Sequence, residues 1–261
     1  MTILLVLTLM FVLLLSGLPV SFSLGFLGLS MLIFGGFSPL MAPQAILSTL
    51  DGFILLAVPL FLLMSNVLLK GGCGKDLFNA VQAWVGHWPG GLAVATIISC
   101  GIFAAISGVS VATAATIGVV AIPEMIKRGY NKNFVYGLLA AGGTLGILIP
   151  PSLPMIVYGF ITEESVIALF LAGIGPGMFL ISLFIIYSIV FSQFFGGFKK
   201  LEPSSWEVKK NTSKKVIPTI ILAFLILGGI YTGVFTPTEA AAIGFSLSLI
   251  ITVVILKTLT W

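Results

Sequence analysis

The chain has little charge. Of 261 residues, 12 are Lys or Arg and 8 are Asp or Glu, and the first ionisable side chain is Asp51. Charged residues make up 8% of the sequence, against roughly 25% in an average soluble domain. With 59% hydrophobic residues and a mean hydropathy of +1.22, there is too little polar surface to solvate a water-soluble globule or to sustain a disordered chain. Histidine occurs once, at His87, and cysteine twice, at Cys73 and Cys100, with no ligand spacing around them. This argues against a metal centre or a disulfide framework. No Lys or Arg precedes the first apolar run and no small-residue cleavage site follows it, so no signal peptide is expected. The net charge of +4 is clustered, which points to membrane topology rather than to nucleic-acid binding.

What remains is an all-α, polytopic membrane protein. At about 20 residues per crossing, the length allows about eight spans, but 30 glycines and 13 prolines imply that several are broken. The first uncharged stretch, 1–50, is interrupted at Gly17-Leu18-Pro19 and reads as two short helices or one broken helix. Phe53–Leu69 follows. From Lys75 to Pro89, the positions Leu77, Phe78, Val81, Trp84, Val85 and Trp88 recur at helical spacing opposite Lys75, Asp76, Asn79, Gln82 and His87. That is the pattern of an amphipathic helix lying in the membrane surface. The remaining apolar segments are 90–123, 133–160, 165–198, 216–231 and 240–256.

The loops set the orientation. Residues 199–215 carry six lysines against Glu202 and Glu207, a strong cytoplasmic signal. The Glu163-Glu164 turn has no basic neighbour and belongs on the other side. Lys127, Arg128 and Lys132, like Lys70 and Lys75, read as cytoplasmic. Both ends of 90–123 are then inside, and 34 residues are too few for two comfortable spans. A re-entrant helical hairpin fits better.

Two breaks concentrate the polar chemistry. The hairpin's natural tip is Ser107-Gly108-Val109-Ser110, in a segment that also holds Ser99, Thr113 and Thr116. Small residues alone would serve close helix packing. The coincidence of hydroxyls and glycine near the midpoint favours a binding role, because non-helical backbone at membrane depth survives only beside protein or a cavity. The second break runs from Gly142 to Pro154. Pro150 and Pro151 have no amide donors, so carbonyls near Gly146–Leu148 lose their helical partners. Such carbonyls and hydroxyls are hard oxygen donors suited to Na⁺, and helix N-termini nearby suit a carboxylate. The two breaks make Ser107, Gly108, Ser110, Thr113, Pro151 and Ser152 candidates for substrate binding.

Enzymatic readings find little support. A serine–histidine intramembrane protease needs both groups within the membrane, and His87 lies in the interfacial helix. Glu239-Ala240-Ala241 is similar to the coupling loop of ATP-driven permeases, but its glycine comes too soon, at Gly244, and no nucleotide-binding motif exists. Glu239 is instead expected at a break between two scaffold helices.

Several motifs together resemble a known family. They are Pro89-Gly-Gly-Leu-Ala, the run from Ala104 through Ser107-Gly-Val-Ser110 to Gly118, Gly129-Tyr130 after a basic turn, the run from Ala140 through Pro150-Pro151 to Ser152, and the run from Gly233 through Thr236-Pro-Thr-Glu239 to Gly244. The combination is specific, covers essentially the whole chain, and resembles the large, DctM-like permease subunit of TRAP (tripartite ATP-independent periplasmic) transporters.

The resemblance implies an elevator-type ion-transporter fold built from inverted repeats. It implies Na⁺-coupled import of organic acids such as C4-dicarboxylates or sialic acid across a bacterial or archaeal cytoplasmic membrane. Na⁺ is the coupling ion, and no other cofactor is implied. The implied partners are a periplasmic substrate-binding protein, a small four-helix membrane subunit and the lipid bilayer. Carried over by position, Ser107 would share a Na⁺ with the carbonyls of Gly146, Ile149 and Pro151. Val109 stands where the family often has a second serine, so a carbonyl there would have to replace a hydroxyl.

The implied division places scaffold helices at 1–70, an arm helix at 71–89, transport-domain segments at 90–198, a cytoplasmic loop at 199–215 and the start of a second scaffold at 216–261. The repeat is incomplete, and the family's second hairpin and second Na⁺ site are not represented. The sequence therefore reads as the N-terminal portion of a permease that acts with a C-terminal half. The competing expectation is a non-transporting membrane scaffold or assembly partner.

Overall fold

The computed structural model describes residues 2–194 and 201–258. Lys199 and Lys200, and the expected helical or loop positions at 195–198 and 259–261, lie outside the described residues. The chain divides into two compact units, Met1–Gly52 and Phe53–Trp261.

In the first unit, α1 (Thr2–Leu15) and α2 (Val20–Phe34) flank the Gly17–Pro19 interruption, and α3 (Met41–Leu50) follows. The expected pair of short helices is present. At 14 and 15 residues each is about 22 Å long, short of the ~30 Å hydrocarbon core. The Ser23 hydroxyl donates to the Leu13 carbonyl at 3.3 Å across the turn. Among the described residues of these three helices, Ser23 and Leu27 are the buried ones, while residues such as Ile3, Leu15 and Phe34 are left open, as lipid-facing side chains are.

The second unit contains α4 (Ala57–Lys70), α5 (Cys73–Val85), α6 (Gly91–Ser107), α7 (Ser110–Lys127), α8 (Lys132–Leu148), α9 (Leu153–Thr162), α10 (Val166–Phe194), α11 (Trp206–Tyr231) and α12 (Pro237–Ile250). Among the described residues, six helical segments are long and apolar enough to cross a membrane. Helices α6, α7 and α8 pack together, with α10 against α6 and α8. Helices α4, α11 and α12 form a second group, and α5 touches members of both.

Helices α6 and α7 pack against each other as a helical hairpin. Its tip is closed by Ser107 and Thr113, whose hydroxyl oxygens are 2.9 Å apart. At its open end the Thr96 hydroxyl, which donates to the Leu92 carbonyl at 2.8 Å, lies 3.5 Å from the Met125 sulfur. The long apolar segment after it is broken as expected, into α8 and α9. The Asn131 side chain caps α8 by accepting from the Asn133 N–H at 2.8 Å. Parallel ring stacking of Phe134 on Phe191, with centroids 4.1 Å apart, ties α8 to α10. Glu239 takes the structural part expected of it at a helix start. It and Thr236 form a reciprocal capping box at α12, with the Thr236 N–H donating to Glu239 Oε2 at 2.8 Å.

One boundary differs. Residues 199–215 were expected to be loop, yet α11 begins at Trp206, so Lys209, Lys210, Lys214 and Lys215 lie on its first turns. Four interactions account for this. The Ser205 hydroxyl accepts from the Val208 N–H, satisfying one of the free donors at the helix start. The Trp206 ring meets the Trp84 ring edge-on at 5.8 Å. The Trp84 indole N–H donates to the Ser213 hydroxyl at 3.1 Å, with the Lys209 ammonium 5.2 Å over the same ring. Helix α5 thus buries Leu77, Phe78, Ala80 and Ala83 while its exposed Trp84 props up the start of α11.

Ring pairing and cation–π contact contribute roughly 0.5–1.5 kcal/mol each. Trp84→Ala is therefore expected to loosen the first turns of α11. Hydrogen exchange at 206–215 should quicken severalfold, and an unchanged rate would remove Trp84 from this role.

Candidate functional site

The hairpin tip and the α8–α9 break lie against each other. At the tip, α6 ends at Ser107, Gly108 has φ +63°, Val109 is extended, and α7 starts at Ser110. That φ is costly for any residue with a Cβ. A Cβ on Gly108 would also collide with the Pro151 carbonyl oxygen, so the carbonyl occupies the space a side chain would need. Opposite, a Cβ on Gly146 would come within 2.8 Å of both the Val109 carbonyl carbon and the Ser110 nitrogen. The two backbones touch at both crossing points, and only glycine permits it.

The backbone groups freed by each break are partly satisfied by the other. The Leu153 N–H donates to the Gly108 carbonyl at 3.2 Å, although in a continuous helix it would serve Ile149. The Ile149 N–H still donates to Leu145 at 2.8 Å. The helical donors for Gly146 and Ile147 would be Pro150 and Pro151, which have no N–H. The Ser152 hydroxyl donates to the Ile147 carbonyl instead, leaving the Gly146 carbonyl without a helical donor. Ile149 is extended, at φ −84° and ψ 125°.

The hydroxyls form a short relay. The Thr113 hydroxyl donates its one proton to the Val109 carbonyl at 2.9 Å, so Ser107 donates to Thr113 and accepts weakly from the Val109 N–H at 3.4 Å. Ser107, Thr113 and Ser152 are fully buried. The Ser110 hydroxyl oxygen is buried without any partner. Every residue named from the sequence as a site candidate therefore falls in this one junction: Ser107, Gly108, Val109, Ser110, Thr113, Gly146, Ile149, Pro151 and Ser152.

One placement departs from expectation. The Val109 carbonyl, expected to face a cation, accepts both the Thr113 N–H at 3.0 Å and the Thr113 hydroxyl. Both lone pairs are engaged, and a cation there would first have to displace the hydroxyl. Residue types alone could not reveal this, because a threonine four residues on serves equally well as a ligand or as a cap. Sequence reasoning also gave no separate role to Ser99 and Thr116, whose hydroxyl oxygens are likewise buried without partners.

Chemically, the junction sets two helix C-termini, those of α6 and α8, beside two N-termini, those of α7 and α9. The former present carbonyl oxygens and the latter N–H groups, so the same small region suits a cation and an anion.

The pattern that defines the tripartite ATP-independent periplasmic transporter, DctM component, matches residues 7–261. The chain belongs to the DctM family. It is a multi-pass protein of the cytoplasmic (inner) membrane, and the family is one of transporters rather than enzymes. It is similar to the C4-dicarboxylate TRAP transporter large permease protein DctM of Rhodobacter capsulatus, 36% identical over 275 residues, covering 100% of this chain and 62% of that protein. The protein of that name from Pseudomonas aeruginosa is 41% identical over 224 residues, 85% of this chain and 52% of the relative. The sialic acid TRAP transporter large permease protein SiaM of Vibrio cholerae is 36% identical over 252 residues, 95% and 58% respectively. This DctM-family chain therefore spans less than two thirds of the length of these relatives.

Thr113→Val keeps the shape of the side chain but removes the relay. The Ser107 proton and one Val109 lone pair lose their partner, which costs about 1–3 kcal/mol for buried groups. A lower midpoint of thermal unfolding in detergent is the expected outcome. An unchanged midpoint would mean the relay does not hold the tip.

Proposed function

We propose that this chain forms part of the permease of a Na⁺-coupled secondary transporter, importing organic acids delivered by a periplasmic binding protein and braced by a small membrane subunit. The observation that carries this reading is the contact between two discontinuous helices, Gly108 against Pro151 and Gly146 against Val109–Ser110. In this reading Ser107 and the carbonyls of Gly146, Ile149 and Pro151 hold the Na⁺. The Val109 carbonyl joins them only when Thr113 swings away. The N-termini of α7 and α9, with Ser110, Thr113 and Ser152, face the substrate carboxylate.

Two features support an acid as substrate. Relatives carry names that specify C4-dicarboxylate and sialic acid, both carboxylates. The junction itself supplies no cationic side chain among Ser107–Thr113 or Gly146–Leu153. A carboxylate would be met by backbone N–H groups and by the bound Na⁺, which makes anion binding depend on the cation. The group α6–α10 would be the mobile transport body and α4, α11 and α12 the scaffold, with α5 as the arm between them.

The test is Na⁺-dependent uptake by an assembly containing this chain, its binding protein, the small subunit and any further permease polypeptide it needs. Ser107→Ala should raise the Na⁺ concentration for half-maximal uptake by about tenfold, the equivalent of ~1.4 kcal/mol. Unchanged Na⁺ activation in an active assembly would remove Ser107 from the ion site. Uptake indifferent to Na⁺ in the unsubstituted assembly would overturn the coupling.

A further inference from the structure

Helix α5 turns a polar row toward the cytoplasmic end of α7. Lys75, Asn79 and Gln82, spaced i, i+4 and i+7, share one side of α5, and Val120, Glu124 and Lys127 repeat that spacing on α7. The two rows, with the buried Phe78 ring, line a groove of about 280 Å³. Helix α7 is one of the candidate spans and ends at Lys127, which with Arg128 and Lys132 marks the cytoplasmic side. Trp84 on α5 and Trp88 just beyond it are exposed, as tryptophans at the headgroup boundary are. The groove therefore opens where the inner-leaflet headgroups lie.

The groove carries positive charge without a counter-ion. Its one carboxylate, Glu124, is already paired, since the Arg128 Nε–H donates to Glu124 Oε1 at 2.8 Å. Asp76 follows Lys75 in the sequence but does not line the groove. Among the described residues, neither Lys75 nor Lys127 joins an ion pair, and the side-chain amides of Asn79 and Gln82 find no hydrogen-bond partner. Two ammonium groups and two amides thus line one concavity with nothing in the chain to receive their protons.

We propose that this groove binds the headgroup of an anionic phospholipid of the cytoplasmic leaflet. The phosphodiester oxygens accept from the Lys75 and Lys127 ammonium groups, as charge-assisted hydrogen bonds, and from the amide N–H groups of Asn79 and Gln82. Charge selects the occupant. A zwitterionic headgroup would bring a cation of its own beside Lys75, Lys127 and Arg128. Phosphatidylglycerol brings one negative charge, together with hydroxyls that donate to the two amide oxygens. A lipid also suits the apolar flank, because Val120 and the exposed Val119 beside it lead from the groove into the span. A free phosphate ester would have no use for that flank. Bound there, the lipid ties the interfacial helix α5 to the end of the hairpin. This inference needs only the membrane location and not the transport reading.

The test is native mass spectrometry of the full chain released from nanodiscs of equimolar palmitoyl-oleoyl phosphatidylglycerol and palmitoyl-oleoyl phosphatidylethanolamine. The unsubstituted protein should retain phosphatidylglycerol over phosphatidylethanolamine by about tenfold. Lys75→Gln combined with Lys127→Gln should bring that ratio to within about twofold of unity, while Lys75→Arg combined with Lys127→Arg should preserve it. Lys210→Gln combined with Lys215→Gln removes as many charges from exposed positions on α11 outside the groove and should leave the preference in place. Unaltered helicity by circular dichroism guards against misfolding. No preference in the unsubstituted protein would overturn the proposal. Equal loss in the two glutamine pairs would overturn it as well, by reducing the preference to general surface charge. Retention of added glycerol phosphate in place of phosphatidylglycerol would assign the groove to a soluble phosphate ester and overturn the lipid.

Discussion

In a bilayer no water is available to satisfy an unwound backbone, so each freed N–H and carbonyl must find a partner within the protein. The structure of the second unit depends on how that constraint is met at one place. Two helices are broken, at 108–109 and at 149–152, and each break lies against the other. The Leu153 N–H, turned away from Ile149 by the break, donates to Gly108. The Ser152 hydroxyl takes the place of a missing proline N–H at Ile147. Neither break would be tolerable alone. Glycine at 108 and 146 is what lets them come close enough, and the packing of α8 on both arms of the hairpin follows from that approach.

The satisfaction is deliberately incomplete. The Gly146 carbonyl has no helical donor, and Ser110 keeps a buried hydroxyl without a partner. Such groups are costly in an apolar surrounding unless something else completes them. With carbonyl-bearing C-termini and N–H-bearing N-termini meeting in one junction, a cation would complete the first kind and a carboxylate the second in the proposed function. Because Ser107–Thr113 and Gly146–Leu153 hold no basic side chain, the proposed anion would depend on the proposed cation for its counter-charge. That dependence is the physical basis for reading the junction as the coupling site of a secondary transporter.

Much of this was legible from residue types. Pro150-Pro151 announces lost amide donors wherever it falls, and Ser107-Gly108 in the middle of an uncharged run announces a turn. The amphipathic spacing of Leu77, Phe78, Val81 and Trp84 marked α5 as a helix with one buried face, which Leu77 and Phe78 now form. Other features were not legible, for identifiable reasons. The first turns of α11 are held by Trp84, more than a hundred residues away, so a lysine-rich run reads locally as loop. Thr113 occupies the Val109 carbonyl, but a threonine near a turn does not reveal which oxygen it will serve. A crevice beside Tyr231 is assembled from four separated segments, and no one of them reveals that the others lie next to it.

The central claim, that the two breaks form a single cation site, is tested most directly by hydrogen exchange on the purified chain. Exchange is compared in Na⁺ and in choline at equal ionic strength. The account predicts that Na⁺ slows exchange in the peptides covering 107–113 and 146–156 together, with the same concentration dependence. Protection of neither segment, or of only one, would contradict it.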